Sequence, residues 1–335
     1  MPMKVRALPY QPHCFAFGGF ELQMLEAMRA VQQAGVDARP LDVWSRDAEF
    51  DILHVWGLAE SQSPAVYWAR RSGKRVVMTA LLPSLTPAMR VRNLGSRLWG
   101  RARALRELVS LLDLLVVVNE AQAETAETML GAPPDKIAVI PNIVADQYFV
   151  SVESGGASGL GIRDYLICTG NVCQRKNQLK LAQAALAAGV PLLLVGPVLV
   201  GEEAYAEALG RLIAGRESIR WIAGLPAGSP ELLAAYRGSI GFALASYNET
   251  QPISALEAAA AGKPLLLADR PWARQSFYRG AHLVDPDSPS TIQAGIERLR
   301  LDAARYIPAA EILEQCRSDR VGQAYALAFQ QVMRG

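Results

Sequence analysis

The stretch Ile240–Ala268, IGFALASYNETQPISALEAAAAGKPLLLA, holds a short apolar run, an alanine-rich segment and a second apolar run. Short apolar runs bounded by turn residues indicate buried strands, and alanine favours a helix between them. Gly262 and Pro264 suit the end of that helix, because glycine terminates helices and proline does not continue them. The stretch therefore predicts a strand, a helix and a second strand.

The same alternation extends through most of the chain and is typical of doubly wound α/β domains. A small, polar stretch at Ser151–Gly161 interrupts it and suits an interdomain linker. Two Rossmann-like domains are thus predicted, 1–153 and 154–310, with a cleft between them and a C-terminal helix at 311–335. The other predicted strands are Val5–Tyr10, Asp51–Val55, Arg75–Thr79, Leu114–Val118, Ile137–Ile140, Tyr165–Thr169, Leu192–Val195 and Ile219–Ile222.

Composition excludes several classes of protein. With 335 residues, 51% of them hydrophobic and 20% charged, the chain is long enough for two domains and too apolar for disorder. A net charge of +2 does not favour nucleic-acid binding. Four cysteines without a CxxC pair indicate reduced thiols, and no secretory signal or membrane span is visible. We expect a cytoplasmic protein, with peripheral membrane contact left open.

Two glutamates mark the quoted stretch as a candidate site. Glu249 lies in the predicted loop, and Glu257 lies in the helix among alanines, where a carboxylate needs either water or hydrogen-bond donors. Two neighbouring sugar hydroxyls would supply such donors, and the free N–H groups of the first helical turn attract phosphate. The alternative is that Glu257 is an ordinary solvated helix residue.

A second candidate site follows the strand Tyr165–Thr169. The loop Gly170–Asn177, GNVCQRKN, places Arg175 and Lys176 just before a helix. Two cations there oppose the helix dipole, and a bound anion would reverse that penalty. The alternative is that both side chains extend into solvent.

These motifs resemble those of the GT-B glycosyltransferases of family 4, which are retaining enzymes that use nucleotide sugars. The resemblance spans most of the chain and rests on four motifs in the order of the family. They are Gly18-Gly19-Phe20-Glu21, Val139-Ile140-Pro141-Asn142 with Phe149, the Gly170–Lys176 loop, and the E-x7-E pair Glu249/Glu257 followed by Ala-x-Ala-x-Gly-Lys-Pro.

The resemblance implies a GT-B fold whose C-terminal helix returns to the first domain, and it implies a role for each motif. Glu257 would bind the donor ribose, Glu249 would face the donor sugar, and Lys176 would neutralise the pyrophosphate. The Gly18-Gly19 backbone would approach the pyrophosphate from the other domain. Neither a metal nor another cofactor is implied, and preorganised positive groups suit a leaving nucleoside diphosphate. The further donor-binding residues expected are Asn171, Arg175, Leu225, Thr250, Gln251, Pro252 and Ile253.

The chain also departs from the family pattern. Asn171 stands where the family often has an arginine, and Gln251-Pro252 replaces a Phe-Gly pair. Trp56 and Leu81 stand where histidines are common. His54 and Trp56, at the end of a predicted strand, and His13, in the loop after the first strand, are candidate contacts for sugar or acceptor; a core histidine is the alternative for His54.

Two further segments need an interpretation. The run Arg90–Arg106 holds six arginines among leucines, and it predicts a basic amphipathic helix that suits an anionic membrane or a lipid-linked acceptor, or simply a solvated face. Asp285-Pro286-Asp287 resembles a DxD metal motif but sits in a predicted surface turn.

We therefore expect a glycosyltransferase that transfers a sugar from a nucleoside-diphosphate donor to a hydroxyl acceptor, a glycan or a lipid-linked saccharide. The alternatives are a catalytically silent GT-B protein that binds a saccharide or a partner, and a nucleotide-sugar isomerase. A nicotinamide-dependent dehydrogenase is disfavoured because no G-x-G-x-x-G follows the first strand.

Overall fold

The computed structural model describes residues 2–15, 18–85, 89, 100–150 and 160–335, and every structural statement below concerns those residues. Contacts divide the chain into two compact units: Met1–Ile143 together with Gln315–Gly335, and Val144–Glu314. Most of the predicted linker, 151–159, and most of the predicted basic helix, 90–99, lie outside the described residues.

The first unit is built on a parallel sheet with the strand order β2-β1-β3-β4-β5-β6. These strands are Lys4–Leu8 (β1), Asp37–Pro40 (β2), Ile52–Trp56 (β3), Arg75–Thr79 (β4), Leu114–Val117 (β5) and Ile137–Val139 (β6). Every residue of β3 and β5 is buried, because helices cover both faces of the sheet. The helices are Gly19–Gln33 (α1), Ser63–Arg71 (α2), Gly100–Ser110 (α3), Glu120–Thr125 (α4) and Ser318–Arg334 (α11), with short turns of helix at Glu60–Gln62, Ala126–Leu130 and Pro134–Lys136.

The second unit repeats this design with the strand order β12-β11-β10-β7-β8-β9, again all parallel. Its strands are Leu166–Thr169 (β7), Leu192–Val195 (β8), Ile219–Ile222 (β9), Gly241–Leu244 (β10), Leu265–Ala268 (β11) and His282–Val284 (β12). Its helices are Gln178–Ala188 (α5), Glu203–Ile213 (α6), Pro230–Gly238 (α7), Ile253–Ala260 (α8), Pro289–Leu301 (α9) and Ala310–Leu313 (α10). Short 3-10 turns lie at Asp146–Phe149, Gln174–Lys176, Pro271–Arg274, Ser276–Tyr278 and Ala303–Tyr306.

The C-terminal helix α11 completes the core of the first unit by packing on α1. A Cβ added at Gly322 would lie 2.4 Å from the carbonyl oxygen of Ala30, so the two helices approach as closely as a glycine allows. The Tyr325 hydroxyl lies 3.1 Å from Thr79 Oγ1 at the end of β4, and Phe329 is fully buried. The last helix is therefore part of the first core.

The compact units differ from the sequence-based boundaries at both ends of the second unit. It begins at Val144, because the turn Asp146–Phe149 packs into it: the Tyr148 ring lies 5.6 Å from the Tyr236 ring, and Gln147 Nε2 donates to the Gly228 carbonyl at 2.6 Å. It extends to Glu314, because α10 packs against α8. Among the described helices, none combines the length and the apolar character that crossing a bilayer requires.

Candidate functional site

Two loops of the second unit begin where the strand order of its sheet reverses. Strand β7 has β8 on one side and β10 on the other, so the connections that follow β7 and β10 diverge from this point. In doubly wound sheets, ligands bind in the crevice at the carboxyl ends of such strands. The loops are Gly170–Asn177 and Ala245–Pro252, which hold Lys176 and Glu249.

The loop after β7 depends on two glycines that let the backbone and Lys176 pack closely. Gly170 has a φ of +127°, and a Cβ there would lie 2.8 Å from Lys176 Cε. Gly196, after β8, has a φ of +156°, and a Cβ there would lie 2.1 Å from the Gly170 carbonyl oxygen. Both backbone conformations favour glycine. The lysine side chain therefore lies directly over the Gly170 backbone.

Glu249 is held between two cations. Its Oε1 lies 2.9 Å from Lys176 Nζ and 2.8 Å from Arg175 NH1, and it accepts a hydrogen bond from Ser246 Oγ at 2.9 Å. Burial acts to raise the pKa of Glu249, but Lys176 and Arg175 outweigh it and hold that pKa below its ordinary value. Two cations and one carboxylate leave this cluster with an excess positive charge, which suits an anionic ligand.

Glu257 lies in α8 in a very different environment. Its Oε2 accepts a hydrogen bond from the Tyr236 hydroxyl at 2.9 Å. Burial raises the pKa of Glu257 to about 7, although Tyr236 and Tyr148 both act to lower it. Among the described residues no hydrogen bond of good geometry reaches the Tyr148 hydroxyl, which is buried close to the carboxyl. Glu257 is therefore not a fully solvated helix residue.

The amino end of α5 differs from the anion site that the sequence predicts there. The N–H of Leu179 in the first turn of this helix donates to the Tyr205 hydroxyl at 2.8 Å. Lys176 lies against Glu249 rather than along the axis of α5. The protein itself thus takes up part of the donor capacity of this helix end, and the positive charge of the site comes mainly from side chains.

The start of α8 is fixed by its own side chains. Pro252 is the N-cap residue of this helix. Gln251 is buried, and its Nε2 donates to Gln275 Oε1 at 3.2 Å, while Gln275 Nε2 donates to the Thr250 carbonyl at 2.9 Å. The Gln251 side chain therefore fixes the loop, and any ligand contact here would come from its backbone or from the partly exposed Thr250 and Ile253.

The remaining predicted donor residues lie at the surface of the second unit. Asn171 is exposed, and Leu225 is partly exposed in the loop after β9. Lys263, in the Gly-Lys-Pro sequence, donates to the carbonyls of Arg237 and Ser239 at 2.6 and 2.9 Å. This lysine therefore satisfies the carboxyl end of α7, which is a structural role.

Gly18 and Gly19 begin α1 in the first unit. Gly18 is the N-cap residue, and its N–H donates to Glu21 Oε2 at 2.9 Å. Glu21 Oε1 also accepts from Gln11 Nε2 at 3.3 Å. A carboxylate of the motif therefore occupies the positive end of α1. His13 lies in the turn before it and is partly exposed.

His54 and Trp56 lie on one face of β3, and both are buried in the core of the first unit. His54 Nε2 lies 2.8 Å from Thr79 Oγ1, and its ring is surrounded by Trp56, Tyr325 and Phe329 at centroid distances of 5.0 to 5.5 Å. Burial lowers the pKa of His54 to about 3, so the imidazole is neutral. This placement fits the core-histidine alternative and not a contact with sugar or acceptor.

The Asp285-Pro286-Asp287 motif forms ion pairs at the surface. Arg270 pairs with Asp287 and Asp285, and Lys180 pairs with Asp287. Within the described ranges, no three His, Cys, Asp or Glu side chains are grouped so that they could hold a metal ion.

In the described part of the predicted basic helix, Arg103 Nε lies 2.7 Å from Glu107 Oε1, and Arg106 Nε donates to the Met129 carbonyl at 2.9 Å. These arginines are thus engaged within the first unit.

The structure adds residues to the site that sequence reasoning missed. Tyr236 contacts Glu257, and Thr169 Oγ1 lies 2.6 Å from the Tyr236 hydroxyl. Asn177, in the left-handed conformation, donates to the carbonyls of Ala245 and Pro286 at 3.2 and 2.8 Å and so ties the two loops together. Neither residue could be recognised from the sequence. An asparagine before a helix does not reveal that it is buried with a positive φ, and a tyrosine in a helix does not reveal that it contacts a glutamate of another helix.

Two sequence models of glycosyltransferase families match the chain. The model described as Glycosyltransferase Family 4 matches residues 18–148, and the model described as Glycosyl transferases group 1 matches residues 163–302. No match was found among curated proteins. The chain belongs to the family 4 glycosyltransferases, and it is therefore a glycosyltransferase.

Solved structures that the chain resembles show the same GT-B fold. Alr3699/HepE of Anabaena, in complex with UDP, has a TM-score of 0.76 at 16% identity over 98% of this chain and 100% of that one. A glycosyltransferase from Rickettsia africae has a TM-score of 0.71 at 12% identity over 100% and 99% of the two chains. Sucrose-phosphate synthase from Thermosynechococcus elongatus has a TM-score of 0.69 at 15% identity over 99% and 98%.

Proposed function

We propose that this enzyme transfers a hexose from a nucleoside-diphosphate sugar to a hydroxyl of a glycan or lipid-linked saccharide, with retention of configuration. The observation that carries the proposal is the cluster of Lys176, Arg175 and Glu249 at the strand-order reversal, close to a helix with a half-buried Glu257. Retention is carried over from the family. The Anabaena structures in complex with UDP and with UDP-glucose support the choice of donor class.

The cations supply the main catalytic contribution in this proposal. When the bond between the sugar C1 and the diphosphate oxygen breaks, negative charge develops on the diphosphate. The acceptor oxygen forms the new bond to C1 on the same face and passes its proton to an oxygen of the departing diphosphate. Lys176 and Arg175 stabilise that charge, because donors that Glu249 already holds in place need little reorganisation during the reaction. This role makes a metal ion unnecessary at the leaving group, so we expect turnover to persist in EDTA.

Glu249 and Glu257 have separate roles because their environments differ. Glu249 stays ionised between its two cations and faces the donor sugar, while it also holds Lys176 in place. Glu257, in its ionised form, accepts hydrogen bonds from the two ribose hydroxyls. Charge-assisted hydrogen bonds of this kind are stronger than neutral ones and favour the nucleotide over a free sugar phosphate.

We also place the enzyme in the cytoplasm, because its four cysteines are free and three of them are buried thiols. Contact with an anionic membrane through Arg90–Arg106 stays a prediction, since residues 90–99 lie outside the described part of the chain.

The test compares Lys176→Met with Lys180→Met. Lys180 lies in α5, where its Nζ donates to the Tyr247 hydroxyl at 2.8 Å instead of contacting Glu249. A charge-assisted hydrogen bond contributes about 1.5–3 kcal/mol, so Lys176→Met should weaken UDP binding by about 10- to 100-fold in calorimetry. Lys180→Met should stay within about fivefold of wild type, because an exposed ion pair contributes at most about 1 kcal/mol.

Turnover is measured with a panel of nucleotide sugars and saccharide acceptors. Transfer to an acceptor hydroxyl supports the proposal. Nucleotide binding without any turnover would instead favour a catalytically silent protein, and interconversion of the donor sugar would favour an isomerase. Equal UDP affinities of the two lysine variants would contradict the proposed role of Lys176.

A further inference from the structure

A chain of buried hydroxyl groups connects the core of the second unit to Glu257. Thr169 Oγ1, at the end of β7, lies 2.6 Å from the Tyr236 hydroxyl, and that hydroxyl lies 2.9 Å from Glu257 Oε2. Tyr236 has no exposed surface, and the ring of Tyr148 packs edge-on against it at 5.6 Å. The hydroxyl is thus fixed by packing on one side and by Thr169 on the other.

The direction of these hydrogen bonds follows from the donors available. A carboxylate only accepts, so the single Tyr236 proton points to Glu257 when that group is ionised. The tyrosine oxygen then accepts the proton of Thr169. The Ser254 carbonyl, 3.3 Å from the Tyr236 hydroxyl, is a longer second acceptor for the same proton. The arrangement therefore favours the ionised carboxylate.

Among the other elements that pack against α8, no charged group acts on this carboxyl, and Asp146 of the turn Asp146–Phe149 is exposed. Strands β10 and β11 carry no titratable residue. The Tyr278 hydroxyl, from the turn Ser276–Tyr278, donates to the Pro252 carbonyl at the start of α8, and Glu311 of α10 is exposed. Tyr148, from the turn Asp146–Phe149, is the other titratable group that acts on Glu257. Tyr236 is therefore the main polar partner of Glu257.

We propose that Tyr236 is a positioning residue for donor binding: anchored by Thr169, it holds the Glu257 carboxylate in the orientation that accepts the ribose hydroxyls. This inference rests on the proposed function and adds a residue from outside the two loops. The pKa of Glu257 is consistent with this role, because burial raises that pKa and the hydrogen bond from Tyr236 acts to lower it.

The test is Tyr236→Phe, which keeps the ring and removes the hydroxyl. UDP affinity is measured by calorimetry from pH 6 to pH 9. Because binding needs ionised Glu257, affinity should rise through the pKa of that group, and the midpoint should lie about one pH unit higher in the variant than in wild type. At pH 7 the variant should bind about fivefold more weakly, because the ionised fraction of Glu257 falls from about one half to about one tenth, and near pH 9 it should approach wild type.

Tyr165→Phe is the matched control. Tyr165 is also buried, and its hydroxyl donates to the Ala235 carbonyl of the same helix α7 at 2.8 Å without contacting Glu257. Its midpoint should equal that of wild type, and the comparison cancels the titration of UDP itself. If Tyr236→Phe does not fold, Thr169→Val removes the anchoring hydroxyl and should shift the midpoint in the same direction by a smaller amount.

A second ligand separates this inference from the proposed function. Wild type should bind 2′-deoxy-UDP more weakly than UDP, and the difference should shrink in Tyr236→Phe. If wild type binds neither ligand, or binds both equally, the proposed ribose contact is wrong. If wild type discriminates but Tyr236→Phe keeps the wild-type midpoint and discrimination, only the role of Tyr236 is wrong.

Discussion

The environment of Glu257 predicts a fold whose stability falls as the pH rises, and Glu257→Gln should abolish that dependence. The pKa of Glu257 is raised from an ordinary value of 4.5 to about 7 in the folded state. Below pH 4.5 the carboxyl is protonated in both states, and it imposes no penalty. As the pH rises, the unfolded chain releases this proton first, so the free energy of unfolding decreases until the folded pKa is passed.

The size of the effect follows from the shift. A difference of roughly 2.5 pH units at 1.36 kcal/mol per unit gives about 3 kcal/mol. This is an upper value, because the carboxyl keeps some contact with solvent. Glutamine has nearly the same shape, and its carbonyl oxygen can still accept from Tyr236. Glu257→Gln should therefore match wild type near pH 4.5 and exceed it by up to about 3 kcal/mol at pH 8.

The assay is urea unfolding at pH 4.5, 6, 7 and 8, with hydrogen exchange of the β10 and β11 amides to assign the transition to the second unit. Glu231→Gln is the matched control, since Glu231 lies in α7 and is exposed. The reasoning is refuted if the difference in unfolding free energy between Glu257→Gln and wild type stays constant with pH. The same result in Glu231→Gln as in Glu257→Gln would also refute it.

Two further outcomes test the packing of each unit. Gly170→Ala places a Cβ against Lys176 and should reduce UDP affinity at least tenfold in calorimetry. Gly189→Ala is the control, because Gly189 also has a positive φ but open space around it, and this variant should change stability alone. Equal losses of UDP affinity in the two variants would show that backbone strain is the cause. Because burial holds the pKa of His54 at about 3, the unfolded chain takes up this proton first as the pH falls from about 6.5 toward 3, so the first unit should lose stability over that range. His54→Gln should remove that loss in urea unfolding, and a variant as acid-sensitive as wild type would contradict it.

The sequence predicted the buried strands well and the polar edge strand poorly. Strands such as β8 and β11 are continuous apolar runs because helices cover both faces of a parallel sheet, and such runs are easy to recognise. Strand β2, Asp37–Pro40, was not predicted, because its residues are polar and it contains a proline. Such a sequence is tolerated there because β2 lies at the edge of its sheet.

The sequence predicted the site as two separate loops, and the contact between these loops is visible only in the folded structure. Lys176 and Glu249 are 73 residues apart, and neither motif alone indicates that the two side chains form an ion pair. His54 is a different case, since its position at a strand end left both a ligand contact and a core position open. The C-terminal helix supplies Tyr325 and Phe329, which cover it, and that packing is not visible in local sequence.

The return of α11 to α1 has a consequence for the order in which the chain acquires structure during synthesis. The second unit is a continuous stretch, Val144–Glu314, and all its residues have been made before the last helix leaves the ribosome. The first unit needs Val321, Tyr325 and Phe329 to fill its core. The part of this unit that is synthesised first therefore exposes apolar surface until the last helix has been made. Nascent chains truncated before Gln315 should therefore resist protease in the later-made half and remain sensitive in the earlier-made one.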